Sequence, residues 1–254
     1  MARKKILFSA VAGIFCLASF IPSAWSGTII TRQSYRVVSS SGETQPLETW
    51  KEYYQANKVA VYQGNAAFII DIGRATLINI LPSRGLYAVN TVQDFITRIN
   101  RLVKQIKAQP MFKDTDKSCK SVKVTVKDTG VKKKILGYQT KKYEIYANGK
   151  KKREVWVGRI PSLVKEVDFK KTMKLKFEIE NTLAPLSGCK DIDSSLKYRK
   201  LFVKGKIPFI IIDFLTGREE VERITTIEVA LIPEKIFKVP PGFKKVPIEK
   251  FMEH

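Results

Sequence analysis

The stretch Lys204–Leu231, KGKIPFIIIDFLTGREEVERITTIEVAL, constrains the fold more than any other part of the chain. Ile207, Pro208, Phe209, Ile210, Ile211, Ile212 and Phe214 form an almost unbroken apolar run of β-branched and aromatic residues. That composition suits a strand buried on both faces. Thr216-Gly217-Arg218-Glu219 supplies a break. The return segment alternates, with Val221, Thr225, Ile227, Val229 and Leu231 on one side and Glu222, Thr226 and Glu228 on the other. Period-2 alternation predicts a strand with one buried and one wet face. The pair implies a large antiparallel sheet with apolar material against its concave side. Phe209 and Ile211 share one face of the first strand, and Ile227 and Val229 share one face of the second. These four are expected to approach the concave volume.

The N-terminus reads as a targeting segment. Arg3, Lys4 and Lys5 precede the apolar run Ile6–Ile21, and Ala24-Trp25-Ser26 places small residues where a signal peptidase cuts. Residues 1–26 are therefore expected to be a secretory signal peptide, and 27–254 a single exported domain, periplasmic or extracellular. The apolar run is short for a span, and Pro22 follows it at once. Past it lie two cysteines, Cys119 and Cys189. In an oxidising compartment an even count favours a disulfide between them. Closing so long a loop stabilises by roughly 4 kcal/mol in the chain-entropy model.

Short strands dominate the next region. Thr28–Ser40, Leu47–Gln63, Phe68–Asp71, Ala75–Leu81 and Leu86–Val89 read as a meander punctuated by glycine and proline. Val92, Phe95, Ile96, Ile99, Leu102, Val103 and Ile106 then recur at three- and four-residue spacing. This predicts a helix, capped by Asn90 or Thr91, ended by Pro110 and packed on the sheet through its apolar stripe. Ser121–Asp128 alternates as a strand. Thr140–Tyr146 and Arg153–Gly158 read as a hairpin around Asn148-Gly149. A two-residue turn sets Glu144 opposite Arg153 but also Tyr143 opposite Glu154, so the register stays open. Ser162–Leu183 carries both a helix-start signal and strand-like alternation, and is read as helix. Cys189–Arg199 reads as loop, and Ile236–Phe243 as an extended tail whose prolines oppose helix.

The chemistry of catalysis finds little to work with. The one histidine is His254, at the chain end. No GxSxG, GxGxxG or P-loop occurs. Pairs such as Glu219/Glu220 and Asp191/Asp193 lie among lysines and read as surface charge. No catalytic residue, metal site or cofactor is therefore expected. The chain holds 46 Lys and Arg against 24 Asp and Glu, a formal charge of +22. Clusters at 132–134, 150–153, 170–171 and 244–245 suit polyanions or an anionic envelope surface, or simply a solubilised exterior. Nucleic acid is not expected of an exported chain without a recognition motif. Tyr35, Trp50, Tyr143, Trp156 and Phe209 either line a pocket or fill a core.

The segments VYQGNAAFIID, LINILPSRGLYAV, GYQTKKYEIYANGKKKREVWVG, GKIPFIIIDF and FKVPPGFKKV resemble a bacterial exported family that shares the fold of the outer-membrane lipoprotein carriers LolA and LolB. The resemblance implies an α+β fold: a curved antiparallel sheet, or incomplete β-barrel, with about two helices plugging its open side. Relatives of that fold hold acyl chains in the concavity. The plug here would be the helix at 92–106 and the segment after Ser162. The expectation is thus a non-enzymatic envelope protein binding an apolar or lipid-like ligand through Tyr35, Tyr143, Trp156, Phe209, Ile211, Ile227 and Val229. The alternative is a filled-core envelope protein that works through its basic surface.

Overall fold

A computed structural model describes residues 26–38, 40–108, 122–183, 192–193, 195–215 and 218–252. Cys119, Cys189, His254 and residues 1–25 of the expected signal segment 1–26 lie outside them, while Ser26 begins the first strand.

Among the described residues twelve strands form one open, curved sheet. Along the chain they are β1 (Ser26–Val38), β2 (Thr44–Gln55), β3 (Lys58–Gln63), β4 (Ala66–Asp71), β5 (Thr76–Leu81), β6 (Leu86–Thr91), β7 (Val124–Ile135), β8 (Tyr138–Ala147), β9 (Lys150–Arg159), β10 (Lys206–Leu215), β11 (Arg218–Leu231) and β12 (Lys244–Lys245). The spatial order is β12-β6-β5-β4-β3-β2-β1-β11-β10-β9-β8-β7. Every pairing is antiparallel except the short parallel one between β12 and β6. The long strand β1 joins a half built from β2–β6 to a half built from β7–β11.

Among the described residues five helices accompany the sheet: α1 (Val92–Ala108), α2 (Pro161–Glu166), α3 (Phe169–Leu183), α4 (Leu196–Arg199) and α5 (Ile248–Met252). The fold is α+β, and the sheet carries more helical cover than the two helices expected. Thr91 caps α1, its Oγ1 accepting from the Asp94 amide at 3.0 Å. Val92, Phe95, Ile99 and Val103 form the buried stripe of α1. The single helix expected over 162–183 is two. Val167 adopts an extended backbone after α2, and the Asp168 carboxylate then accepts the Lys171 amide at 3.0 Å. Asn57, in the β2–β3 turn, fixes that break. Its Oδ1 accepts the Asp168 amide at 2.7 Å, and its own amide donates to the Glu166 carbonyl at 2.8 Å.

Bulges correct several sequence expectations. Asn148 and Gly149 do form the β8–β9 turn, with φ of 50° and 78°. A register shift after Ile145 then sets Glu144 opposite Glu154 and Tyr143 opposite Val155. On β11, Thr31 pairs with Thr226 and Arg32 with Ile224, which leaves Thr225 as an extra residue. The alternation therefore changes phase there. Val221 and Ile227 fall on opposite sides of the sheet, where simple alternation puts them together. The β10 run is not buried throughout either: Ile207 and Phe209 are buried, and Ile210–Phe214 are half-buried. The C-terminal tail is not wholly extended. It makes a 3-10 turn at Glu234–Phe237 before β12 and α5.

The core has an inner and an outer layer. On the helix-facing side, Ile30, Val59 and Ile224 pack with Leu163, Val167, Phe169 and Leu175. Leu77 and Ala88 pack with α1 and Ile248. Val155, Val157 and Ile145 pack with Tyr198 and Phe202. On the outer side of the β2–β6 half, Ala60, Ala67, Ile69 and Ile80 are covered by Ile232 and Phe237 of the tail. Gly27 makes that return possible, because a Cβ there would collide with Ile232. Among the described residues no helix is long and apolar enough to cross a membrane.

Candidate functional site

The inner side of β1 sets the chemistry of the concave face. Thr28, Ile30 and Arg32 alternate onto it, and all three are buried. Arg32 is only 5% exposed. A guanidinium so placed needs partners, and it has them on three strands. Nε donates to Glu52 Oε1 on β2 at 2.8 Å, and Nη1 donates to Glu222 Oε1 on β11 at 3.0 Å. Nη1 also donates to the Pro208 carbonyl on β10 at 3.1 Å. Two aromatic residues complete the shell of Glu52. Tyr54 Oη donates to Oε2 at 2.8 Å, and Trp50 Nε1 to Oε1 at 3.3 Å.

Electrostatics favour the charged form of Arg32 and the neutral form of Tyr54. Burial works against the Arg32 cation, but Glu52 and Glu222 outweigh it and raise its pKa. Burial, and after it the neighbouring Glu52 carboxylate, push the Tyr54 hydroxyl well above its ordinary value. Tyr54 thus stays a neutral donor. The cluster also spans a gap in the sheet. β10 pairs with β11 only from Ile210 onward, so residues 206–209 part from it. Arg32 bridges the parting, and Ile160 and Leu163 pack there with Phe209.

A half-buried arginine, Arg153, ties the helices to the other half together with the buried Arg199. Arg153 donates to both oxygens of Asp213, at 2.5 and 3.0 Å, and to Asp193 Oδ1 at 2.6 Å. Its guanidinium lies 5.1 Å from the Tyr198 ring. Arg199 donates to the Asp193 carbonyl at 2.8 Å and to Asn181 Oδ1 of α3 at 2.9 Å. So α3 is held by polar contacts at its first turn, through Asp168 and Asn57, and near its end, through Asn181. Between those points it meets the sheet through Met173, Leu175 and Ile179, all apolar.

The seven residues singled out as ligand-lining do not converge. Phe209 is fully buried in the central core, and Ile227 is half-buried against that core. Ile211 and Tyr143 belong to the cluster around Tyr198. Tyr35 and Trp156 lie on the outer side, because Tyr35 shares its side of β1 with Ile29, which packs under the tail. Val229 is 60% exposed near the end of β11. Arg32, Glu52 and Glu222 escaped sequence reading. The available signal was Arg32 in phase with buried Ile30, and Glu52 between Trp50 and Tyr54. The expected bridge between Cys119 and Cys189 lies outside the described residues.

No family model matches the chain, and no curated protein does. Among solved structures it is similar to PNGF-II in two crystal forms. The matches have TM-scores of 0.41 and 0.40 and identities of 11% and 12%, over 90% of this chain. The chain spans 32% of PNGF-II. It is also similar to a domain from Vibrio parahaemolyticus described as an outer membrane lipoprotein-sorting protein domain. There the TM-score is 0.27 and the identity 12%, over 84% of this chain and 89% of that one. Likenesses this distant carry no functional inference.

Proposed function

We propose that this chain is a non-enzymatic envelope protein that takes an apolar, lipid-like ligand between the inner side of its sheet and helix α3. The supporting observation is the way α3 is attached. Polar contacts hold its two ends, and between them Met173, Leu175 and Ile179 pack on the apolar core. An acyl chain entering under α3 would exchange one set of apolar contacts for another, at little cost in hydrogen bonds. The arginine cluster at Arg32 keeps the sheet below that span in one piece.

A second reading has its own support. Phe209 is 0% exposed and packs with Ile160 and Leu163, as the centre of a permanently filled core does. Titration with a fluorescent fatty acid separates the two. Saturable binding to the wild type, weakened several-fold in Phe209→Ala and in Leu175→Trp, supports the ligand reading. No binding to the folded wild type leaves the filled-core reading in its place.

A further inference from the structure

We propose that the outer side of β9–β11, through Ile210, Ile212, Phe214 and Tyr35, docks on an anionic lipid bilayer surface. This goes beyond the ligand reading and does not depend on it. The outer side of the sheet is treated differently in its two halves. The tail covers the β2–β6 half. On the other half, Trp156, Ile210, Ile212, Phe214, Val221 and Tyr35 form a contiguous apolar stripe. Cross-strand pairs place them together: Trp156 with Ile210, Ile212 with Val221, and Val221 with Tyr35. None of the six belongs to a cluster that binds helices or tail to the sheet. Trp156 and Val221 are buried beneath the stripe, and Ile210, Ile212, Phe214 and Tyr35 remain half-exposed.

Cations frame the stripe. Lys133 Nζ stands 4.1 Å from the Trp156 ring centre, Lys151 Nζ 4.7 Å from that of Phe214, and the Arg223 guanidinium 5.3 Å from that of Tyr35. Among the described residues Lys133 and Arg223 form no ion pair. Lys151 does, with Glu154 at 2.6 Å. A basic group seated over an aromatic ring, with its charge outward, suits the headgroup level of a bilayer. There phosphates meet the cations and the rings meet the upper acyl region. The complementarity extends to the whole chain, whose formal charge is +22. An acidic protein partner is the competing occupant. The stripe of rings under exposed cations favours the lipid surface, which needs no matching shape.

Co-sedimentation tests this with vesicles of phosphatidylcholine alone and of phosphatidylcholine mixed with phosphatidylglycerol. The chain should bind the mixed vesicles, in a salt-sensitive way, and not the neutral ones. Each basic residue at such a surface is worth about fivefold, so Lys133→Gln/Lys151→Gln/Arg223→Gln together should lose about 100-fold. A matched control, Lys170→Gln/Lys174→Gln/Lys235→Gln, changes exposed lysines elsewhere by the same net charge. It should stay within about fivefold of wild type. Both variants should unfold cooperatively, the control melting like the parent and the Lys133→Gln/Lys151→Gln/Arg223→Gln variant somewhat lower because it loses the Lys151–Glu154 pair. The proposal is overturned if the wild type ignores the mixed vesicles, as it would if its partner were an acidic protein. It is equally overturned if both triple variants lose binding alike, since attraction would then be diffuse charge.

Discussion

The Phe209 ring lies against the backbone of Gly158: a Cβ added to Gly158 would stand 2.7 Å from Phe209 Cε2, and 3.0 Å from the Gln139 carbonyl oxygen. Gly158 is thus fixed by packing rather than by backbone conformation. Gly158→Ala should destabilise by about 1–3 kcal/mol through overpacking. Phe209→Ala, which opens a cavity, should cost about 3–5 kcal/mol. Urea denaturation followed by circular dichroism reads both. An unchanged midpoint for Gly158→Ala would mean that Phe209 does not occupy this place.

Arg32 gives the second prediction. Arg32→Met leaves Glu52 and Glu222 without their cation, and breaking a buried pair costs about 3–5 kcal/mol. Arg32→Lys should rescue only part, because an ammonium cannot reproduce a guanidinium that reaches three acceptors on three strands. Adding Glu52→Gln to Arg32→Met should recover some of the loss. Denaturation midpoints of the four proteins test this. Equal stability of the methionine variant and the parent would refute the cluster's role as the joint between sheet halves.

Acid sensitivity follows from the outer side of β8–β9. Burial raises the Glu154 pKa, but hydrogen bonds from Lys142 and Lys151 outweigh it, so the folded value lies below the ordinary one. A depressed carboxylate stabilises the fold above its unfolded pKa and loses that contribution as pH falls through the folded value. Its share is therefore fully present at neutral pH and disappears below about pH 4.5, the ordinary glutamate value. Glu154→Gln should lower stability at neutral pH and flatten its decline in acid. An acid limb as steep as that of the parent would contradict the assignment.

The thiols of Cys119 and Cys189 should be bridged in the exported chain. Titration of the denatured, unreduced protein lacking residues 1–26 should find no free thiol. Two free thiols would reject the bridge.

Much of this architecture was legible in the sequence, and the failures share a cause. The meander β4–β6, helix α1 and the Asn148-Gly149 turn follow from local signals that tertiary contacts do not overrule, whereas a turn at Ala56-Asn57 splits the single segment expected over Leu47–Gln63 into β2 and β3. The phase of β11 was not legible. A single extra residue, Thr225, moves Val221 to the outer side, and nothing in the local pattern marks a bulge. The break in 162–183 depends on Asn57, more than a hundred residues away, whose amide and side chain hold Glu166 and Asp168. Arg32 was not legible as a buried centre, because its partners Glu52, Pro208 and Glu222 meet it only across three other strands. The ligand-lining set scattered for a related reason: aromatic identity does not say which side of a sheet a residue takes.

The most direct test of the central claim is mass spectrometry of the chain purified from its own host without denaturation. The account predicts a lipid or fatty acyl species that travels with the folded protein, is released on unfolding, and can be replaced by added fatty acid. A folded protein that carries no such species and binds none when it is offered would contradict it.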